Sequence, residues 1–139
     1  MSEATPFILD SRLAADTHLV GDLSLSRVLL MNDSRYPWLV LVPRVAAVSE
    51  WHELSDLDQQ QLLAEQIQTA KTVQSLTGAY KMNVAALGNM VRQLHVHVIA
   101  RFEGDDAWPG PVWGVGAGRP YDASRAQSFI AELRTGLGL

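Results

Sequence analysis

Within the stretch "RQLHVHVIAR", Arg92 to Arg101, the six residues from Gln93 to Val98 alternate strictly between polar and apolar. Side chains one residue apart point to opposite faces of a strand, so Gln93, His95 and His97 share one face while Leu94, Val96 and Val98 share the other. No helix reproduces that division, and a strand apolar on one side needs helices or a second sheet to cover it. An unpaired buried imidazole costs on the order of 1–3 kcal/mol in lost hydrogen bonding, so two in register require partners or a ligand.

The rest of the chain supplies the covering layers. "THLVGDLSLSRVLLMND" holds two β-rich runs around Gly21-Asp22, and "WLVLVP" a third that ends at Pro43. Ser55 with Asp58 resembles a capping box. Leu63, Ile67, Ala70, Val73 and Leu76 then recur at helical spacing until Gly78. "YKMNVAAL" and "QLHVHVIA" are two further strands on either side of a Gly-Asn turn. "SRAQSFIAELRTGL" is a closing helix with Phe129, Ile130 and Leu133 on its apolar side. Phe7 to Ala15 reads equally as a short helix or an extended arm. The order β-β-β-α-β-β-α predicts an α+β fold, a mainly antiparallel five-stranded sheet with one long helix and a C-terminal helix. One domain over 1–139 is expected, with its core at about 17–114 and an arm and helix from about 104.

Charge and composition exclude several classes. The nine Arg and two Lys are scattered and the net charge is -4, so no basic face for nucleic acid is expected. Without cysteine there are no disulfides and no Cys-ligated zinc, which fits a reducing compartment. The start lacks the basic flank of a signal peptide, and "WLVLVP" is too short to span a bilayer; the expectation is a cytoplasmic protein without membrane association.

Three chemistries use a row of histidines: metal ligation, acid-base catalysis and nucleophilic attack on phosphorus. A metal site built on His95 and His97 needs further ligands, and His18, His52 and the carboxylates lack motif spacing. For attack on phosphorus, a neutral imidazole is a good nucleophile provided its second ring nitrogen keeps its proton on an acceptor. The neighbouring imidazole would donate to phosphate oxygens, where charge accumulates.

"QLHVHVI" resembles the signature of the histidine triad (HIT) superfamily, His-apolar-His-apolar-His followed by two apolar residues, with Gln93 at the first triad position. "VLLMNDSRYPWLVLVPR", "SDLDQQQLLAEQIQTAKTV" and "YKMNVAALGNMVRQLHVHVIAR" are similar to the family's sugar-contacting strand-turn-strand, long helix and closing strands. The likeness runs from about Leu23 to Gly114 and is greatest to bacterial HIT-domain hydrolases of the diadenosine polyphosphate type.

The resemblance implies a nucleotide hydrolase or nucleotidyl transferase acting at the α-phosphate of an ester, anhydride or phosphoramidate. His95 would be the nucleophile that becomes a covalent nucleotidyl-histidine, His97 would hold phosphate oxygens, and Gln93 would complete the triad. Asn32, or the adjacent Asp33, falls where the family contacts ribose. Asn83 and Asn89 fall where it contacts phosphates or the leaving group, although an asparagine also serves as a plain turn former. Met90 stands where many relatives carry a Ser or Thr, and a thioether is a poor donor there. No cofactor is implied beyond a divalent cation accompanying the nucleotide. The implied partners are a nucleotide or dinucleoside polyphosphate and a second copy of the chain, a homodimer joined through the long helix and the neighbouring sheet edge. Two other readings stay open: a nucleotide-binding regulatory protein with little turnover, and a metal-binding domain.

"GDDAWPGPVWGVGAGRP", Gly104 to Pro120, carries five Gly, three Pro and two Trp in seventeen residues and must be a long loop. Trp108 and Trp113 either pin this loop to the body or shape the mouth of the site by stacking on a base, with Arg101 and Arg119 near phosphate. In the family this segment tunes substrate choice and often reaches the other subunit. Trp38 and Trp51 are read as core or interface residues.

Overall fold

The computed structural model describes residues 5–139. Five strands, β1 (Thr17–Asp22), β2 (Ser26–Met31), β3 (Trp38–Pro43), β4 (Lys81–Ala85) and β5 (Val96–Arg101), form one sheet in the order β1-β2-β3-β5-β4. Every pairing is antiparallel. The expected α+β architecture is therefore present, with the histidine strand between β3 and edge strand β4.

The long helix α2 (Asp56–Thr77) starts where Ser55 Oγ accepts from the Asp58 amide and stops at Gly78, whose φ of 70° suits a residue without Cβ. Helix α3 (Ala123–Leu137) packs beside it, with Leu133 fully buried and Phe129 and Ile130 against the core. Both cover the face carrying Leu94, Val96, Val98 and Ala100.

The buried stripe of α2 departs from its apolar spacing. Leu63, Ile67 and Leu76 are exposed, whereas Leu62, Glu65, Gln66, Thr69 and Val73 are buried. The Glu65 carboxylate accepts from the amides of Leu25 and Ser26, both at 2.8 Å, so the helix is turned to satisfy the β1–β2 connection and leaves its leucine face outward.

The opposite face has its own core of Leu13, Leu29, Tyr36, Trp38, Val40, Val42, Ile99 and Val112. Two irregular segments cover it. Residues 5–10, without regular secondary structure, place Phe7 and Leu9 against this core and lead into the short helix α1 (Ser11–Asp16), capped by the Asp10 carboxylate. The glycine-rich segment 104–120 crosses the same face as a succession of turns and inserts Val112 and Trp113. No helix among the described residues is long and apolar enough to cross a membrane.

Candidate active site

The ladder of β5 begins at Val96, so Gln93, Leu94 and His95 precede it, and the strand starts three residues later than the alternation predicts. Leu94 is still held in line by its amide, which donates to the Val48 carbonyl at 2.9 Å. His95 and His97 therefore project from the same side, their ring centroids 4.9 Å apart, and only 6% and 5% exposed.

Their hydrogen bonds put the two imidazoles in opposite tautomers. His95 Nδ1 lies 2.6 Å from the main-chain oxygen of Gln93. A carbonyl only accepts, so Nδ1 carries the proton and Nε2 the free lone pair. Trp38 Nε1, which only donates, lies 3.0 Å from His97 Nδ1, so His97 keeps its proton on Nε2. Burial, with the neighbouring His95, lowers the His97 pKa from 6.5 to about 4, which keeps this ring neutral. One ring thus leaves a free lone pair at Nε2 and the next an N–H donor, an arrangement chemically able to attack an electrophile and to stabilise charge beside it.

Trp38, expected from the sequence as a core or interface residue, also contacts the candidate site through His97. Its signal was parity: Val40 pairs with His97, so Trp38, two residues away, shares the histidine face. Trp113 completes the wall, 5.0 Å from the His97 ring and 5.9 Å from that of Trp38. Trp108 stands apart, packed edge-on against Tyr80. Trp51 is half-buried against the helix-side core.

The Gln93 side chain does not touch either imidazole through its amide. Its Oε1 accepts from the Asp10 amide at 2.8 Å and its Nε2 donates to the Ile8 carbonyl at 2.9 Å. The first triad position is thus tied to the N-terminal segment, while its main-chain carbonyl orients His95.

An open depression beside Trp38 is bounded by Ala15, Asp16, Met31, Asn32, Asp33 and Gly118. Asn32 and Asp33 come together there with parts of their hydrogen-bonding capacity committed. Asn32 Oδ1 accepts from the Tyr121 amide at 3.0 Å and faces His18 Nε2 at 3.2 Å. Burial pushes the Asp33 carboxyl up, but hydrogen bonds from Arg35 and the Arg119 amide outweigh it and hold it below the usual range. Asn89 and Met90 are exposed on the turn before the motif, and Asn89 borders a second open depression with Ser49 and Arg92. A separate hollow lined by Tyr121, Arg125, Phe129 and Glu132 lies between the helices and contains no histidine.

Arg101 is not presented to this site. It is 1% exposed and holds Asp105 through two hydrogen bonds of 2.8 and 2.9 Å, Asn83 Oδ1 at 2.8 Å and the Gly110 carbonyl at 2.8 Å. Its guanidinium lies against the rings of Tyr36 and Trp108. Arg101, Asn83 and Trp108 together fasten the glycine-rich segment to the sheet. Arg119 is exposed and faces Asp106 at 3.7 Å. Among the described residues, no three His, Asp or Glu side chains converge as a metal site would need.

Residues 12–104 match the family model of the HIT domain. A histidine triad protein from Bradyrhizobium japonicum is 47% identical and superposes with a TM-score of 0.94 over 96% of this chain and 99% of that one. One from Marinobacter aquaeolei is 50% identical, with a TM-score of 0.94 over 96% and 98% of the two chains. One from Sinorhizobium meliloti is 49% identical, with a TM-score of 0.92 over 94% and 96%. Comparison with curated proteins gives no significant match. With the family model spanning most of its length and close structural relatives along nearly all of it, the chain belongs to the HIT-domain family.

Proposed function

We propose that the protein is a nucleotide hydrolase or nucleotidyl transferase acting at the α-phosphate of a nucleoside phosphate ester, anhydride or phosphoramidate, a dinucleoside polyphosphate among them. HIT membership supports nucleotide chemistry in general. The observation that carries the specific reading is the Nδ1 contact of His95 with the Gln93 carbonyl, which leaves Nε2 as the nucleophile.

In this reading His95 Nε2 forms a bond to the α-phosphorus as the bond from phosphorus to the leaving oxygen or nitrogen breaks. The Nε2 proton of His97 stabilises the charge gathering on the phosphate oxygens. Water, or another acceptor in a transferase, then attacks phosphorus and breaks the N–P bond, releasing a nucleoside monophosphate or its conjugate. The depression between Asp16, Asn32, Asp33 and Trp38 takes the nucleoside. The protein's own groups suffice, any divalent cation arriving on the nucleotide.

The working unit is a homodimer. Leu63 and Ile67 on α2, and Val84 on edge strand β4, are about half exposed and belong to the surface that the family resemblance assigns to a second copy.

A panel of dinucleoside polyphosphates and nucleoside phosphoramidates, assayed with and without chelator beside His95→Ala, tests the proposal. Turnover that survives chelator and is lost in His95→Ala supports it. Nucleotide binding without turnover of any member would replace it with a regulatory role, and activity restored by stoichiometric zinc would replace it with a metal-dependent one.

A further inference from the structure

The contacts of Gln93 give the first triad position a role different from that of an imidazole. Its amide faces the Ile8 carbonyl and the Asp10 amide, two groups two residues apart that the irregular N-terminal segment turns to the same side. A primary amide offers a donor and an acceptor side by side and can pair with both at once. A carboxylate could accept from Asp10 but not donate to Ile8, and the two nitrogens of an imidazole diverge too far to do both. The exchange of histidine for glutamine therefore supplies a latch.

The latched segment forms part of the covering of the histidine face. Phe7, Leu9 and Leu13 pack on the cluster that contains Trp38, and Ala15 and Asp16 at the end of α1 border the depression beside Trp38. Trp38 in turn holds His97. With His95 and His97 nearly buried, the covering segments govern how a ligand is retained there.

Resting on the reading of this face as a nucleotide site, we propose that Gln93 is a positioning and specificity residue that acts through the N-terminal arm: its amide latches residues 8–10 so that the arm and α1 form one wall of the nucleotide pocket. Its side chain takes no part in proton transfer. The orientation of His95 comes from the Gln93 main-chain carbonyl, which every substitution at this position keeps.

The test combines amide hydrogen exchange of the ligand-free protein with steady-state kinetics on adenosine 5′-phosphoramidate. Gln93→Ala and Gln93→His should each speed exchange across residues 8–13 by about tenfold or more. They should raise KM by about tenfold, the worth of a lost pair of hydrogen bonds, and change kcat by less than about threefold. Asp10→Pro removes the latched N–H at a φ of -52° that proline accepts, and Asp10→Ala removes the cap while keeping the N–H. Asp10→Pro should exceed Asp10→Ala in KM, and in a Gln93→Ala background, where the Asp10 N–H has lost its acceptor, the two Asp10 variants should give the same KM. A fall in kcat at constant KM, additive effects, a gain of rate in Gln93→His, or unchanged exchange at residues 8–13 would each overturn the proposal. Exchange requires no substrate, so a protein that turns over nothing defeats the hydrolase reading while the latch stands or falls on its own result.

Discussion

Trp38 donates its indole N–H to His97 Nδ1 across 3.0 Å, a bond between neighbouring strands that decides which nitrogen of His97 carries the proton. Trp38→Phe keeps an aromatic ring but removes the donor, leaving a buried acceptor unpaired and both tautomers open. The expected result is a loss of about 1–3 kcal/mol of stability and a fall in kcat of about tenfold, measured by urea titration and by turnover per folded molecule. Wild-type kcat in this variant would mean that the tautomer of His97 is set by something other than Trp38.

The burial of His97 makes stability depend on pH. Its pKa falls from 6.5 to about 4 in the folded protein, so between those values the unfolded chain binds the proton more readily. The contribution is fully present above about pH 6.5 and is lost progressively as pH falls toward 4, amounting to about 2 kcal/mol between pH 7.5 and 5. In His97→Asn that share of the pH dependence should vanish, giving a flatter plot of unfolding free energy over this range. Parallel plots for the two proteins would show that His97 is not the titrating group.

Arg101 and Asp105 form a buried pair in which burial pushes the carboxyl up and the guanidinium, with the amides of Phe102 and Trp108, more than offsets it. Arg101→Met leaves that buried carboxylate with main-chain amides but no cation and frees the glycine-rich segment, at a cost of about 3 kcal/mol. Thermal melting should show the loss. A variant that melts like the wild type but binds phosphate-bearing ligands poorly would return Arg101 to the phosphate-binding role that its sequence position suggested.

The sheet and the histidine row were legible because a period of two is written directly in the side chains: Leu94, Val96 and Val98 are buried on the helix side, opposite His95 and His97. The inward face of α2 was not, since Glu65, Gln66 and Thr69 are polar yet buried, and the partners of Glu65 lie about 40 residues earlier in the chain. Greater separations in sequence, 59 residues for Trp38 and His97 and 83 and 85 for Gln93 with Asp10 and Ile8, hid the roles of Trp38 and Gln93. Composition marked residues 104–120 as an unusual loop, but only packing separates Trp113, against His97, from Trp108, against Arg101.

The outward leucine face of α2 carries the expectation of a dimer. A charge at Leu63 or Ile67 should convert the protein to a monomer in light scattering, with little loss of monomer stability because both side chains are already about half exposed. A wild-type protein that is monomeric at micromolar concentration would remove the dimer from the account.

Everything proposed for the histidine face turns on a bond between His95 Nε2 and phosphorus. Rapid acid-free quenching of a reaction with a dinucleoside polyphosphate or phosphoramidate, followed by peptide mass spectrometry, reads it directly. The account predicts a nucleotidyl group on the peptide containing His95, localised to that residue by fragmentation, accumulating within the first turnover and absent from His95→Ala. A nucleotidyl group on His97, or single-turnover product release with no protein adduct at any time point, would contradict it.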